Sequence, residues 1–85
     1  MRQRAVIEVE VRLYALLRRY APEVNLGEAM RLNMKEGSTL QMIYDRLGIP
    51  FDEVKRVIVN GIARDHYYRL SNGDRVAIFP PIAGG

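Results

Sequence analysis

The sequence predicts an α+β fold, with a mixed sheet of about four to five strands packed on one main helix. Three observations point that way. Two segments that alternate apolar and polar residues precede a single, well-bounded amphipathic stretch. Asn-Gly turn dipeptides punctuate the chain after it, at Asn60-Gly61 and Asn72-Gly73. The segments beside those turns are short and rich in Val and Ile, as strands are.

From Ala5 to Arg12, Ile7, Val9 and Val11 alternate with Glu8, Glu10 and Arg12, which predicts a strand with one wet face. Leu13, Leu16, Leu17 and Tyr20 fall at i, i+3, i+4 and i+7, predicting one face of a short helix that ends before Pro22. Ala21 to Gly27 reads as loop. Glu28 to Lys35 alternates again, with Met30, Leu32 and Met34 inward. Ser38-Thr39-Leu40-Gln41 fits a capping box, and Leu40, Ile43, Tyr44 and Leu47 form the apolar stripe of the helix it would open. Gly48 stands where a left-handed terminal residue is wanted, and Pro50 prevents continuation. Val57 to Val59, a type I′ turn at Asn60-Gly61, a short return at Ile62 to Arg64, and Arg75 to Phe79 complete the strands. Two strands, a helix and then more strands, in one layer over one helix, is the β-grasp arrangement. The division expected is a β-grasp domain at 1–79 and a flexible C-terminal tail at 80–85, ending Gly-Gly.

Eighty-five residues suffice for one core. No apolar run approaches the ~20 residues of a membrane span, and Met1-Arg2-Gln3-Arg4 lacks the apolar core of a secretory signal. No cysteine is present, which excludes disulfides, thiolate metal sites and a cysteine nucleophile and suits the cytoplasm. The net charge of +3 is spread among acidic residues rather than gathered into a stripe, which weighs against a nucleic-acid face. His66 is the only histidine and has no nucleophile placed to use it. Asp52-Glu53 and Glu8/Glu10 have no partner set for a metal. Neither catalytic nor metal-binding residues are therefore expected, and no permanently bound cofactor. The chain reads as something acted upon.

The tail is different. Phe79 is followed by Pro80-Pro81-Ile82-Ala83-Gly84-Gly85. Two prolines donate no backbone hydrogen bonds, so the last strand cannot extend past Phe79, and they stiffen the exit. Six extended residues reach up to ~20 Å. Gly84 and Gly85 lack side chains and fit a channel too narrow for any Cβ. A terminal carboxylate on such a lead could be threaded into another protein's nucleotide site and become an acyl-adenylate. If Val76 and Ile78 face the core, alternation puts Phe79 on the wetter face, as an anchor for a partner or as a ring folded over the edge of the core. Tyr14, off the apolar stripe, is a candidate to join it.

Leu13-Tyr14-Ala15-Leu16-Leu17-Arg18, Val59-Asn60-Gly61, Leu70 with Asn72-Gly73-Asp74-Arg75-Val76, and above all Phe79 to Gly85 together resemble the MoaD/ThiS family of ubiquitin-like sulfur carriers. The resemblance implies a carrier protein rather than an enzyme. A ubiquitin-activating-type adenylyltransferase would use Mg-ATP to adenylate Gly85. A sulfurtransferase persulfide would then displace AMP to leave a thiocarboxylate, and that species would deliver sulfur to an accepting enzyme. It also implies partner docking at Phe79 and Tyr14. The Phe-Pro-Pro ending and the length look like the small subunit of molybdopterin synthase, whose large subunit would be the acceptor in molybdenum or tungsten cofactor synthesis. Leu47-Gly48-Ile49-Pro50 and the Val-Asn-Gly hairpin look closer to the thiamine-carrier branch. Carriers for thiazole, cysteine or tRNA thiolation fit the same residues, as does a ubiquitin-like modifier conjugated through Gly85. An RNA-binding β-grasp module is the alternative that makes no use of the tail.

Overall fold

The computed structural model describes residues 5–81. Five strands form one mixed sheet in the order β2-β1-β5-β3-β4. They are β1 (Val6–Leu13), β2 (Met30–Lys35), β3 (Arg56–Val59), β4 (Ile62–Ala63) and β5 (Arg75–Phe79), with one α-helix, α1 (Leu40–Leu47), between β2 and β3. β1 pairs antiparallel with β2 and parallel with β5, and β5 pairs antiparallel with β3. This is the β-grasp arrangement. The inward residues of β1, β3 and β5 (Ile7, Val9, Val11, Val57, Val59, Val76 and Ile78) are buried in one cluster with Leu40, Ile43 and Tyr44 of α1. At ~25 cal/mol per Å² of apolar surface removed from water, that shared core is the main stabilising term. In β2 only Met34 is fully buried, while Met30 and Leu32 are partly covered because this strand lies at the sheet edge.

The turns follow their residue chemistry. Asn60 and Gly61 have φ of 52° and 84°, both positive as a type I′ hairpin demands. Gly48 ends α1 in the left-handed region at φ 76°, and the Ile49 N–H closes the helix on the Tyr44 carbonyl at 2.9 Å.

Two expectations fail. Leu13, Leu16, Leu17 and Tyr20 do not share one α-helical face. Leu13 ends β1, and Ala15–Tyr20 is a 3-10 helix in which Leu17 is buried while Leu16 is 70% exposed. Ala15 at φ 53° turns the chain sharply off β1, and the tighter three-residue turn rotates Leu16 outward. The capping box does not form either. Ser38 is buried and accepts the Leu70 N–H on its carbonyl at 2.8 Å, and Thr39 caps the helix without a side-chain bond. The free N–H groups of the first turn are taken instead by the incoming loop: Leu40 donates to Tyr68 O at 3.2 Å and Gln41 to His66 O at 3.1 Å. The strand expected from Glu28 begins at Met30.

That loop, residues 64–70, is fixed at two further points. The buried Tyr44 hydroxyl lies 2.9 Å from His66 Nδ1, and the His66 ring also packs edge-on against Phe51. Asp74, 4% exposed, accepts from Asn60 Nδ2 at 2.8 Å, from the Ser71 N–H at 2.8 Å and from the Tyr68 hydroxyl at 3.0 Å. Among the described residues no buried side-chain polar atom lacks a partner. A second short 3-10 turn, Phe51–Glu53, is tied to the first by Glu53. Its Oε1 accepts from Arg19 at 2.6 Å and from the Tyr20 hydroxyl at 2.8 Å.

Removing the Asp74 carboxylate strands three donors at once, so Asp74→Ala is expected to lower the unfolding free energy by about 3 kcal/mol in urea denaturation. Burial pushes the Tyr44 hydroxyl up to about 12, and burial and the Asp74 hydrogen bond raise that of Tyr68. A raised phenol favours the neutral folded form, so this stability is complete below pH ~10 and is lost as pH climbs from there toward 12. Tyr44→Phe should flatten that alkaline loss in a denaturation series.

Candidate functional site

β5 carries the geometry that matters, because it is a central strand clamped on both sides. On one side it follows the parallel register Glu10–Arg75, Val11–Val76, Arg12–Ala77 and Leu13–Ile78. On the other it pairs Val57–Ile78 and Arg56–Phe79. Its start is pinned as well: Glu10 N–H donates to Asp74 O at 2.9 Å and Gly73 N–H to Glu8 O at 2.8 Å, while Asn72 Oδ1 accepts the Glu8 N–H at 2.9 Å. The last ladder bond runs from the Lys55 N–H to the Phe79 carbonyl at 2.8 Å. Pro80 and Pro81 follow outside the strand, and neither has an N–H to continue the ladder. The sheet therefore ends one residue before the diproline, as expected.

Strand alternation resolves Phe79. Val76 and Ile78 are buried, so Ala77 and Phe79 lie on the opposite, outer face, each half-buried. Tyr14, 39% exposed, immediately precedes the left-handed Ala15, and its N–H donates to Ile78 O at 3.2 Å. That bond holds Tyr14 beside the end of β5, and its ring stacks on Phe79 with centroids 4.6 Å apart and planes 10° from parallel. The structure thus brings together the two residues expected to dock a partner. Ile82, Ala83, Gly84 and Gly85 lie outside the described residues.

His66 is half-buried against Tyr44 and Phe51 rather than open to solvent. On the outer face Glu8 and Glu10 pair loosely with Arg31 at 3.8 Å and Arg12 at 3.9 Å, contacts long and exposed enough to contribute at most ~1 kcal/mol each. Among the described residues no group of three or more acidic or histidine side chains could hold a metal ion. No helix there is long and apolar enough to cross a membrane. Sequence reading missed Arg12, Ile58 and Arg75, which meet beside Tyr14 on the outer face. Their distant positions gather only through strand register, and no local signal marks them.

An offset pair of aromatic rings at this spacing contributes about 1 kcal/mol beyond area burial. A double-mutant cycle of Tyr14→Ala and Phe79→Ala, measured by urea denaturation, should return a coupling near that value.

The Mut7-C ubiquitin family matches residues 6–83. No curated protein matches the chain. Solved structures of the same fold include small archaeal modifier protein 1 of Haloferax volcanii, 24% identical, with a TM-score of 0.69 over 92% of this chain and 99% of that one. A protein of Pyrococcus furiosus provisionally assigned as molybdopterin converting factor, subunit 1, is 19% identical, with a TM-score of 0.67 over 89% and 99% of the two chains. The ubiquitin of Caldiarchaeum subterraneum is 14% identical, with a TM-score of 0.62 over 95% and 100%. A match running from the first residue of β1 to beyond the diproline, on a five-stranded sheet grasping one helix, places the chain in the Mut7-C ubiquitin family of ubiquitin-like proteins.

Proposed function

We propose that the chain is a cytoplasmic sulfur carrier, acted on by enzymes rather than being one, with Gly85 as the residue that bears the sulfur. The observation that carries this reading is the exit of β5. A central strand locked on both sides ends at Phe79, beside a stacked aromatic pair on an otherwise open sheet face, and leads directly into Pro80-Pro81 and the Gly84-Gly85 pair. A rigid body that presents a docking face next to a tail carrying two side-chain-free residues suits threading into an adenylating site.

In this scheme a ubiquitin-activating-type adenylyltransferase spends Mg-ATP to join AMP to the Gly85 carboxylate, releasing pyrophosphate. The adenylate makes a poor electrophile into a good one. Persulfide sulfur from a sulfurtransferase displaces AMP, reduction of the resulting acyl disulfide by a thiol frees the thiocarboxylate, and that anion is the sulfur nucleophile passed to an accepting enzyme. Phe79 and Tyr14 dock the partners, while Pro80, Pro81, Ile82, Ala83 and Gly84 form the lead. Molybdopterin synthesis is the pathway proposed, with this chain as the small subunit beside a sulfur-accepting large subunit. The Phe-Pro-Pro ending and the fold shared with the Pyrococcus furiosus protein support that choice.

The fold shared with small archaeal modifier protein 1 favours one second reading, a modifier whose Gly85 ends in an isopeptide bond to a target lysine. Incubation with ATP, a set of candidate activating enzymes and a sulfur source, followed by intact-mass measurement, distinguishes the two. A carrier shows an AMP adduct and then a gain equal to one sulfur-for-oxygen exchange, and it leaves no covalent ladder in a denaturing pull-down. A ladder without that gain replaces the first reading with the second. A chain that never reacts with ATP while an established carrier does so alongside it rejects both.

A further inference from the structure

An activated carboxyl group reacts with whichever amine is held near it, and this chain holds one at the root of its own tail. Of its thirteen Lys and Arg residues, only Lys35 and Lys55 are lysines. The arginines stay protonated and are not nucleophiles at neutral pH. Both lysines are exposed, and among the described residues neither takes part in an ion pair. Their places in the fold differ. Lys35 stands opposite Val6, while Leu13, at the other end of β1, pairs with Ile78. Leu13 is seven residues on from Val6 along the strand, about 23 Å. Lys55 instead closes the last ladder bond, its N–H donating to the Phe79 carbonyl at 2.8 Å. Its side chain starts where the tail starts.

We propose that Lys55 captures the activated Gly85 carboxyl of its own chain, closing the tail into a lactam. The inference rests on the sulfur-carrier reading for its electrophile, the Gly85 acyl-adenylate, and assigns that species a second fate. The neutral Lys55 amine attacks the Gly85 carbonyl carbon. A C–N bond forms as the C–O bond to phosphate breaks, AMP leaves, and the amine's proton passes to solvent. Relative to the free chain, the product has lost one water. Reach selects the amine. Gly85 is six residues beyond Phe79, at most ~20 Å when fully extended. Pro80 and Pro81 spend the first two leaving the sheet, and the four that follow, two of them glycine, suffice for a reverse turn to Lys55. The same span drawn straight falls short of the Lys35 backbone and leaves no slack for a turn. Attack within one chain also spares the entropy of bringing two copies together. Sulfur transfer removes the target, because a thiocarboxylate anion is a nucleophile and no longer an acceptor for the amine. Lys55 and the persulfide therefore compete for one acyl group, and the lactam is the form taken when sulfur is not supplied.

The full chain carrying a thioester at Gly85, made by intein cleavage, supplies an electrophile without any activating enzyme. At mildly alkaline pH it should lose the thiol without gaining water, and proteolysis should yield a peptide pair joined from Lys55 to Gly85. Lys55→Arg keeps the backbone bond and the charge and should cut the yield at least about tenfold, whereas Lys35→Arg should change it less than about twofold. A mixture of ¹⁵N-labelled and unlabelled chains should give closed monomers and no mixed dimer. A second arm uses ATP and an activating enzyme. Without a sulfur source the AMP adduct should give way to the closed chain, and adding the sulfur source should suppress closure. Hydrolysis to the free acid alone, a bond at Lys35 or at the Met1 amine, a mixed dimer, or an unchanged yield in Lys55→Arg overturns the proposal. An AMP adduct beside a thioester that never closes overturns this inference alone. A thioester that closes beside a chain that never forms the adduct overturns the sulfur-carrier reading alone.

Discussion

The register of β5 is the constraint on which the rest of this molecule depends. Alternation along a strand has a period of two, so a slip of one residue would carry Val76 and Ile78 out of the core and turn Phe79 into it. The slip is opposed at the strand's start, where the buried Asp74 gathers Asn60, Tyr68 and Ser71, and the Asn72–Asp74 turn is bonded to the backbone of β1 at Glu8 and Glu10. Fixing the start fixes the end. Phe79 is thereby delivered to the outer face beside Tyr14, and the diproline to the rim of the sheet.

The helix side of the sheet serves the same purpose by different means. The loop at 64–70 supplies carbonyl groups to the first turn of α1, its His66 meets Tyr44 from the core, and its Tyr68 reaches Asp74. One irregular segment thus caps the helix and braces the turn that sets β5. The cap uses backbone carbonyl groups of that loop and the brace uses its side chains, in addition to the shared apolar core. The outer face takes no part in that core, and Arg12, Ile58, Arg75 and the aromatic pair lie on it.

Much of this fold is legible in the sequence. Local chemistry was readable where a single short-range rule decides: the β1 alternation, the Gly48 helix stop, the Asn60-Gly61 hairpin and the parity of Phe79 relative to Val76. Errors arose where a distant segment competes with a local signal. Leu13, Leu16, Leu17 and Tyr20 satisfy helical spacing, yet the left-handed Ala15 and a 3-10 turn separate them. Ser38 and Gln41 have the residues of a capping box, but carbonyl groups from residues 66 and 68 occupy the donors first. The Arg12–Ile58–Arg75 cluster spans three strands, and its existence follows only from pairings that no local pattern encodes. Tyr14 lay between these cases: its place off the apolar stripe was readable, its stacking on Phe79 was not.

The proposed chemistry at Gly85 is what the sulfur-carrier reading depends on. The most direct measurement adds one tryptophan after Gly85 and follows ATP-dependent adenylation by the activating enzyme that accepts the unaltered chain. The account predicts that adenylation disappears while the amide spectrum of residues 5–81 is unchanged. Full adenylation of the extended chain would contradict it.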